Sequence, residues 1–395
     1  MNQVSDIAAI DPRKRAASVL PLLREAAPEI EAHNELPPRV LKALHEARLF
    51  RMLLPPAVGG EAVDLRTFGE VIELIASADA STGWVMSQGG GCSMAAAFMA
   101  PAGAERVFGP PNAVLAWGAG IQGKAVKVDG GYRVTGKWQF ASGSRHATVL
   151  GGHSFVFEAD GETPCHHPNG KRVDRTAIFA REKATVHDVW DVMGLRGTGS
   201  DTFEVTDLFV PDDETADRED RSALTDGSPI YRISTSLVYA VGFTGLQIGI
   251  ARAMLDNLRD LALEKTPRGA ASPLRESAVF HSQYGQFEAR LRMIRTAVFA
   301  TADDVYANVM RTGAPSMEDR VALRLACTHG INEAVALTTD IYRAAGATAI
   351  FPSRGFERCL RDALTASQQV QARFDHYENV GRHLLGLDLN STMFL

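Results

Sequence analysis

The residues able to do chemistry are few, and most have a plainer reading. Ser142, in Phe140-Ala141-Ser142-Gly143, offers a hydroxyl, but the GxSxG elbow and a recognisable His/Asp arrangement are missing, so an acyl-transfer triad is not expected. Cys165-His166-His167 carries metal-ligand side chains. It sits among Pro164, Pro168 and Gly170, and no second ligand cluster faces it in sequence, so it reads as a solvated hairpin loop and no metal is expected. Gly118-Ala119-Gly120-Ile121-Gln122-Gly123 matches GxGxxG. A dinucleotide site needs a helix N-terminus directly afterwards to hold the pyrophosphate, whereas Lys124 onward reads as a strand. His281, His329, His376 and His383 fall in helical stretches, where a lone histidine is more often structural than a base.

Composition narrows the class. The 395 residues suffice for a large core and two or three domains. A net charge of −6 argues against nucleic-acid binding, which needs a basic face. Cys92, Cys165, Cys327 and Cys359 are scattered without a CxxC pair, so neither a zinc site nor a disulfide framework is indicated, as in a reducing cytoplasm. Residues 1–15 lack a signal-peptide core, and the longest apolar stretches are interrupted by Gly, Ser or Gln, so no membrane span is read.

The elements that must position any site fall into three regions: helical at 1–113, strand-rich at 114–225 and helical at 226–395. Asp11-Pro12 is a helix start, followed by Val19, Leu20, Leu23, Ala26 and Ile30 at helical spacing. Pro37-Pro38 opens a second helix, and an Ala- and Met-rich segment covers 65–99. The period then changes, with strands expected at 125–128, 132–135, 149–157, 175–180 and 203–210. Tight turns without intervening helices predict an antiparallel barrel or sandwich. Later, Phe280, Tyr284, Phe287, Leu291, Ile294 and Val298 form a heptad-like seam suited to a helix bundle, with further helices near 323–344 and 360–384. The acidic, polar stretch 212–226 is the one expected to be disordered.

Several strings in this order resemble the acyl-CoA dehydrogenase-like superfamily, on its branch of two-component flavin-dependent monooxygenases. They are Ser81-Thr82-Gly83-Trp84-Val85, the W-x-F-x-S-G run Trp138 to Gly143, and Gly194-Leu195-Arg196-Gly197-Thr198-Gly199-Ser200. Tyr342 to Ala347 and Arg358 to Ala363 complete the set. The resemblance spans about 37–389. It implies an α+β fold: an N-terminal helical domain, a central antiparallel β-barrel and a C-terminal four-helix bundle. It also implies FMN or FAD. Trp117, Gly118, Phe140, Ala141 and Ser142 would line the flat, mostly apolar ring, with Thr198 and Ser200 near its polar edge. Arg268 and the backbone of Gly346, Ala347 and Thr348 would meet phosphate, in this family often from a neighbouring subunit, so a homotetramer is implied. Gly346 also reads simply as a helix end, and Arg268 as a solvated loop charge.

The sequence departs from the family where bases are usual. The glutamate of ordinary acyl-CoA dehydrogenases falls near Val370 by the Arg361 register. The two histidines usual in the monooxygenase branch fall at Cys92 and Gln369. Glutamine cannot remove a proton at neutral pH, and cysteine could do so only with a lowered pKa. Cys92, Gln369 and Ser142 are therefore the catalytic candidates. The expected activity is hydroxylation of a small aromatic, phenol- or indole-like, or of an amine, using O2 and reduced flavin from a separate reductase. A flavin dehydrogenase or oxidase acting on an acyl thioester, and a non-redox binding or isomerising protein, are the alternatives.

Overall fold

The computed structural model describes residues 7–218 and 220–395. The readings made on residues 1–6 and Glu219 lie outside the described residues. Helix α1 (Pro12–His33) starts where Asp11 accepts a hydrogen bond from the Arg13 amide, and it buries the expected stripe from Val19 to Ile30. Helix α2 (Pro38–Glu46) follows Pro37. The Ala- and Met-rich segment is two helices, α3 (Leu65–Ala76) and α4 (Ala80–Ser93). The division has a local cause: Asp64 and Asp79 each cap a new helix start, accepting from the amides of Thr67 and Thr82. A short α5 (Pro101–Phe108) leads into the sheet.

The strands are β1 (Leu115–Trp117), β2 (Gly123–Val128), β3 (Gly131–Ala141), β4 (Val149–Phe157), β5 (Asp174–Ala180), β6 (Thr185–His187), β7 (Asp201–Pro211) and β8 (Thr215–Ala216). All five expected strands are present, while β1, β6 and β8 are too short to show an alternation. The sheet corrects the expectation of an antiparallel barrel. It runs as an open path β6-β7-β3-β2-β4-β5-β8, and β4 pairs in parallel with both β1 and β2. The reason is edge occupancy. β7 takes the outer edge of β3 along its length, so β4 adds beside β2 instead. Two chain reversals, into and out of β3, separate β2 from β4, so the two run the same way. The stretch expected to be disordered is ordered in its described residues: β8 pairs with β5, and Asp220 caps a turn at Arg221–Ala223.

The C-terminal region consists of α6 (Thr235–Glu264), α7 (Ala278–Thr312), α8 (Met317–Ala345), α9 (Phe356–Ala366) and α10 (Asp375–Leu384). The α7 seam packs inward as its heptad spacing predicts, with Phe280, Phe287, Leu291, Ile294 and Val298 buried. Helix α6 is long and apolar enough to cross a bilayer, but 83% of that stretch is buried inside the protein, where it is the central core helix. The single helix expected over 360–384 is broken into α9, a turn at Val370–Ala372, and α10. Gln369 is extended (ψ 163°) and its side chain accepts from the Gln371 amide, which competes with helix continuation. The freed carbonyls of Gln371 and Ala372 are taken by Thr328 and Asn332 of α8.

Candidate functional site

The end of β3 builds the site through a change of side-chain direction. Trp138 points into the sheet, 0% exposed, stacked on Phe203 at 5.2 Å, with its indole nitrogen donating to the His153 carbonyl at 2.9 Å. Three glycines make room for it: a Cβ at Gly123, Gly136 or Gly152 would lie 2.4, 2.5 or 2.6 Å from the ring. The pairing of β3 with β7 then slips between Trp138 and Ala141. Phe140 adopts φ +59°, in the left-handed region that costs a phenylalanine on the order of 1–3 kcal/mol. The slip turns both Gln139 and Phe140 outward, leaving the Phe140 ring 59% exposed. Trp190 meets that ring edge-on at 6.2 Å. These two aromatics, with Val189, Val192, Lys137, Ser200 and Thr202, line a groove of about 490 Å³.

Behind the groove lies a row of hydroxyls. The Trp84 indole nitrogen of α4 donates to Ser142 Oγ at 2.8 Å. Ser142 Oγ lies 2.7 Å from Ser200 Oγ, which lies 2.8 Å from Thr198 Oγ1. Thr198 Oγ1 donates to the Leu195 carbonyl at 2.9 Å. The Gly143 amide donates to the Thr198 carbonyl at 2.8 Å, and Arg145 pairs with Asp201 at 2.7 Å, so the two loops are locked together. From the other side, the Leu195 amide donates to buried Asp362 of α9 at 2.6 Å. Burial raises the Asp362 carboxyl to about 7, its neighbour Asp79 adding to the shift, while the Leu195 amide opposes it.

A second group adjoins the first through Trp84, whose ring lies 4.4 Å from Phe243 of α6. Phe243 stacks on Tyr239 at 5.6 Å, and the Tyr239 hydroxyl lies 3.4 Å from Cys92 Sγ and 3.2 Å from Gln88 Nε2. Burial pushes the Cys92 thiol up to about 12 and the Tyr239 phenol well above its usual range. Both stay protonated at neutral pH, so Cys92 is a neutral hydrogen-bonding group there and no proton acceptor.

The sequence-derived candidates are thus distributed. Phe140 and Ser200 line the groove, with Ser142 and Thr198 each buried one hydrogen bond further in, on Ser200. Ala141 is buried in register with Asp201. Trp117 is not part of the groove lining; its ring lies 4.7 Å from His153 and beneath the Arg218 guanidinium. Gly118 packs on Trp138, where a Cβ would meet the tryptophan Cβ at 2.5 Å. Gln369 Nε2 is enclosed yet has no hydrogen-bond partner among the described residues. Arg268 is exposed in the loop after α6, and Gly346, Ala347 and Thr348 form a turn after α8. Lys265 ties these two segments together, donating to the Ala345 carbonyl at 2.9 Å. The Cys165 thiol donates to Glu158, and His376 bonds the Val370 carbonyl, so both serve local structure. Sequence reasoning missed Trp190, Tyr239, Phe243 and the role of Asp362. An aromatic in the polar loop before the Gly-rich string was the signal available for Trp190.

A flat tricyclic ring with one polar edge fits this site. The groove gives an aromatic and aliphatic wall with the Ser200 and Thr202 hydroxyls on its lining and the hydroxyl row behind Ser200.

Comparison with known proteins agrees with the architecture. Residues 17–107 match the family model for the acyl-CoA dehydrogenase N-terminal domain, and residues 241–374 match that for its C-terminal domain. The chain is 27% identical over 364 residues to an indole-3-acetate monooxygenase from Acinetobacter baumannii, covering 92% of this chain and 91% of that one. It is 28% identical over 394 residues to the oxygenase subunit of a flavin-dependent monooxygenase from Rhodococcus jostii, covering 96% and 100%. The crystal structure of 3-HSA hydroxylase from Rhodococcus sp. superposes with a TM-score of 0.88 at 26% identity, covering 98% and 99%.

Proposed function

Because this chain belongs to the acyl-CoA dehydrogenase family, matched at both helical ends, we propose that it is the oxygenase component of a two-component flavin-dependent monooxygenase. The observation that carries this reading is the groove at Phe140 and Trp190, with Ser200 on its lining and Ser142 bonded behind it. Full-length similarity to an oxygenase subunit and to an indole-3-acetate monooxygenase supports it, and points to an aromatic, indole- or phenol-like substrate.

In this reading Phe140 and Trp190 hold the ring of reduced FMN or FAD. Ser142 meets its polar edge and Gln369 supplies a further donor. The bound flavin would supply two electrons to O2, so that one oxygen atom enters the substrate and the other leaves as water. Phe243, Tyr239 and Cys92 form the wall beyond Trp84 against which an aromatic substrate would pack, and they bring no proton acceptor. Arg268 and the Gly346-Ala347-Thr348 turn, close together through Lys265, would meet flavin phosphate across a subunit boundary in a homotetramer. A separate reductase would deliver the reduced flavin.

The test mixes the purified protein anaerobically with chemically reduced FMN or FAD, adds air-saturated buffer with an indole or phenol, and analyses the product by mass spectrometry. A hydroxylated product formed without any reductase is expected. Binding of oxidised flavin followed by its bleaching on anaerobic addition of an acyl thioester would replace this reading with a dehydrogenase.

A further inference from the structure

Beyond Trp84, the wall of Phe243, Tyr239 and Cys92 ends at a cation. Helix α4, which carries Cys92, packs against β1, and β8 packs against the turn at Met94–Phe98 that follows α4. Arg218 comes two residues after β8. Its guanidinium lies 4.6 Å over the Trp117 ring of β1, a flat cation stacked on an aromatic face. Burial raises the Cys92 thiol and the Tyr239 phenol, and Trp117 and the Arg218 charge both oppose that rise, which puts them at the same wall.

Among the described residues no carboxylate lies within salt-bridge reach of Arg218: Asp217, next to it in the chain, lies 3.9 Å from Arg175 instead. The polar neighbour of Arg218 is the His153 ring, with Nη2 3.5 Å from Nδ1. Burial and the Arg218 charge hold His153 well below the usual histidine range, so it is neutral, and its Nδ1 is already engaged with Thr176 Oγ1 at 2.8 Å. Arg218 Nε is enclosed and has no hydrogen-bond partner among the described residues. An enclosed donor on a permanent cation is costly to leave unmet. The residue as a whole is half-buried and not sealed from a ligand.

We propose that Arg218 selects the substrate by pairing with a carboxylate carried on the side chain of an aromatic ring, so that the substrates of this site are aryl carboxylates. The inference rests on the reading above of this wall as the face that an aromatic substrate packs against. A carboxylate matches the planar guanidinium with two parallel N–H···O bonds and brings the missing charge. The ring packs on Phe243 and Tyr239 while its acid arm reaches Arg218. Cys92 and Tyr239 stay neutral and repel no anion. Arg218 is thus a specificity residue, with no part in oxygen transfer.

The test is anaerobic titration calorimetry of the full chain with reduced FMN, using matched probes: indole-3-propionate and 3-(4-hydroxyphenyl)propionate, each against its neutral amide. Wild type is expected to bind the acids about tenfold or more tighter than the amides, as a charge-assisted hydrogen bond would give. Arg218→Met should cost the acids about tenfold or more and leave the amides within about threefold. Arg218→Lys keeps the charge, loses the fork and should fall between. In turnover with O2, Arg218→Met should raise KM for the acids and leave kcat within about twofold. Circular dichroism confirms that each variant is folded. Equal affinities for acid and amide in wild type overturn the proposal. So does an equal loss of both in folded Arg218→Met, which would give Arg218 a structural role. The ratio of FMN to riboflavin affinity should be the same in Arg218→Met as in wild type; a tenfold drop in that ratio would put the guanidinium on flavin phosphate and overturn the proposal as well. If amides are hydroxylated and acids are not preferred, this inference alone falls. If no aromatic is bound or hydroxylated, the oxygenase reading falls and takes this inference with it.

Discussion

The Trp84 indole nitrogen and the Ser142 hydroxyl oxygen, 58 residues apart, meet at 2.8 Å. That bond joins the N-terminal helices to the end of β3, behind the groove. Asp362 completes the frame from the third, since its carboxyl holds the Leu195 amide.

Asp362 should make stability depend on pH. Its carboxyl is raised from 3.8 to about 7 by burial. Between about pH 4 and 7 the folded chain keeps a proton that the unfolded chain has lost. Stability from this group is therefore fully present below about pH 4, falls as pH rises through that window, and is flat above it. The integrated effect is on the order of a few kcal/mol. Asp362→Asn keeps an acceptor for the Leu195 amide and removes the titration. Urea denaturation at pH 5 and pH 8 should show a smaller difference for the variant than for wild type.

Trp138 should matter to folding more than to the ring-binding wall. Trp138→Ala leaves a large cavity among Phe203, Phe179 and the facing glycines, at a cost of about 3–5 kcal/mol. Gly152→Ala, whose Cβ would fall 2.6 Å from the indole, should also destabilise, by about 1–3 kcal/mol. Thermal unfolding measures both.

Phe140 is the opposite case. Phe140→Gly relieves the positive φ and removes an exposed ring, so stability should change by no more than about 1 kcal/mol. Reduced-flavin affinity should nevertheless fall, about tenfold or more, because half of the aromatic wall is gone. A variant that binds flavin as tightly as wild type would remove Phe140 from the site.

With Cys92 neutral up to about 12 and a glutamine at position 369, no group at these two positions can deprotonate a phenol. Turnover of an indole should be flat with pH between about 6 and 9. Turnover of a phenol should rise toward the phenol's own pKa, and Cys92→Ala should leave both profiles in shape. A bell-shaped indole profile that loses its upper limb in Cys92→Ala would assign Cys92 a proton-transfer role.

Much of the frame was legible in the sequence because its signals are local. Asp11-Pro12 and Pro37-Pro38 mark helix starts, the α7 seam shows its period, and the five longer strands alternate or end at Gly and Pro. The path of the sheet was not legible. Whether β4 joins β2 or β3 depends on β7, some fifty residues later, claiming the β3 edge. At the site, Ser142 and Phe140 could be picked out by resemblance, but the left-handed Phe140 could not, because nothing in Gln139-Phe140-Ala141 favours a positive φ. The hydroxyl row runs from Trp84 through Ser142, Ser200 and Thr198 to the Leu195 carbonyl, residues that only the folded chain brings together.

The most direct test of the account is a single turnover with isotope-labelled O2. Anaerobic protein carrying reduced flavin is mixed with labelled O2 and an indole, and the product is weighed by mass spectrometry. The account predicts one labelled oxygen atom in each molecule of hydroxylated product. Unmodified indole, with all the label recovered as hydrogen peroxide, would contradict it.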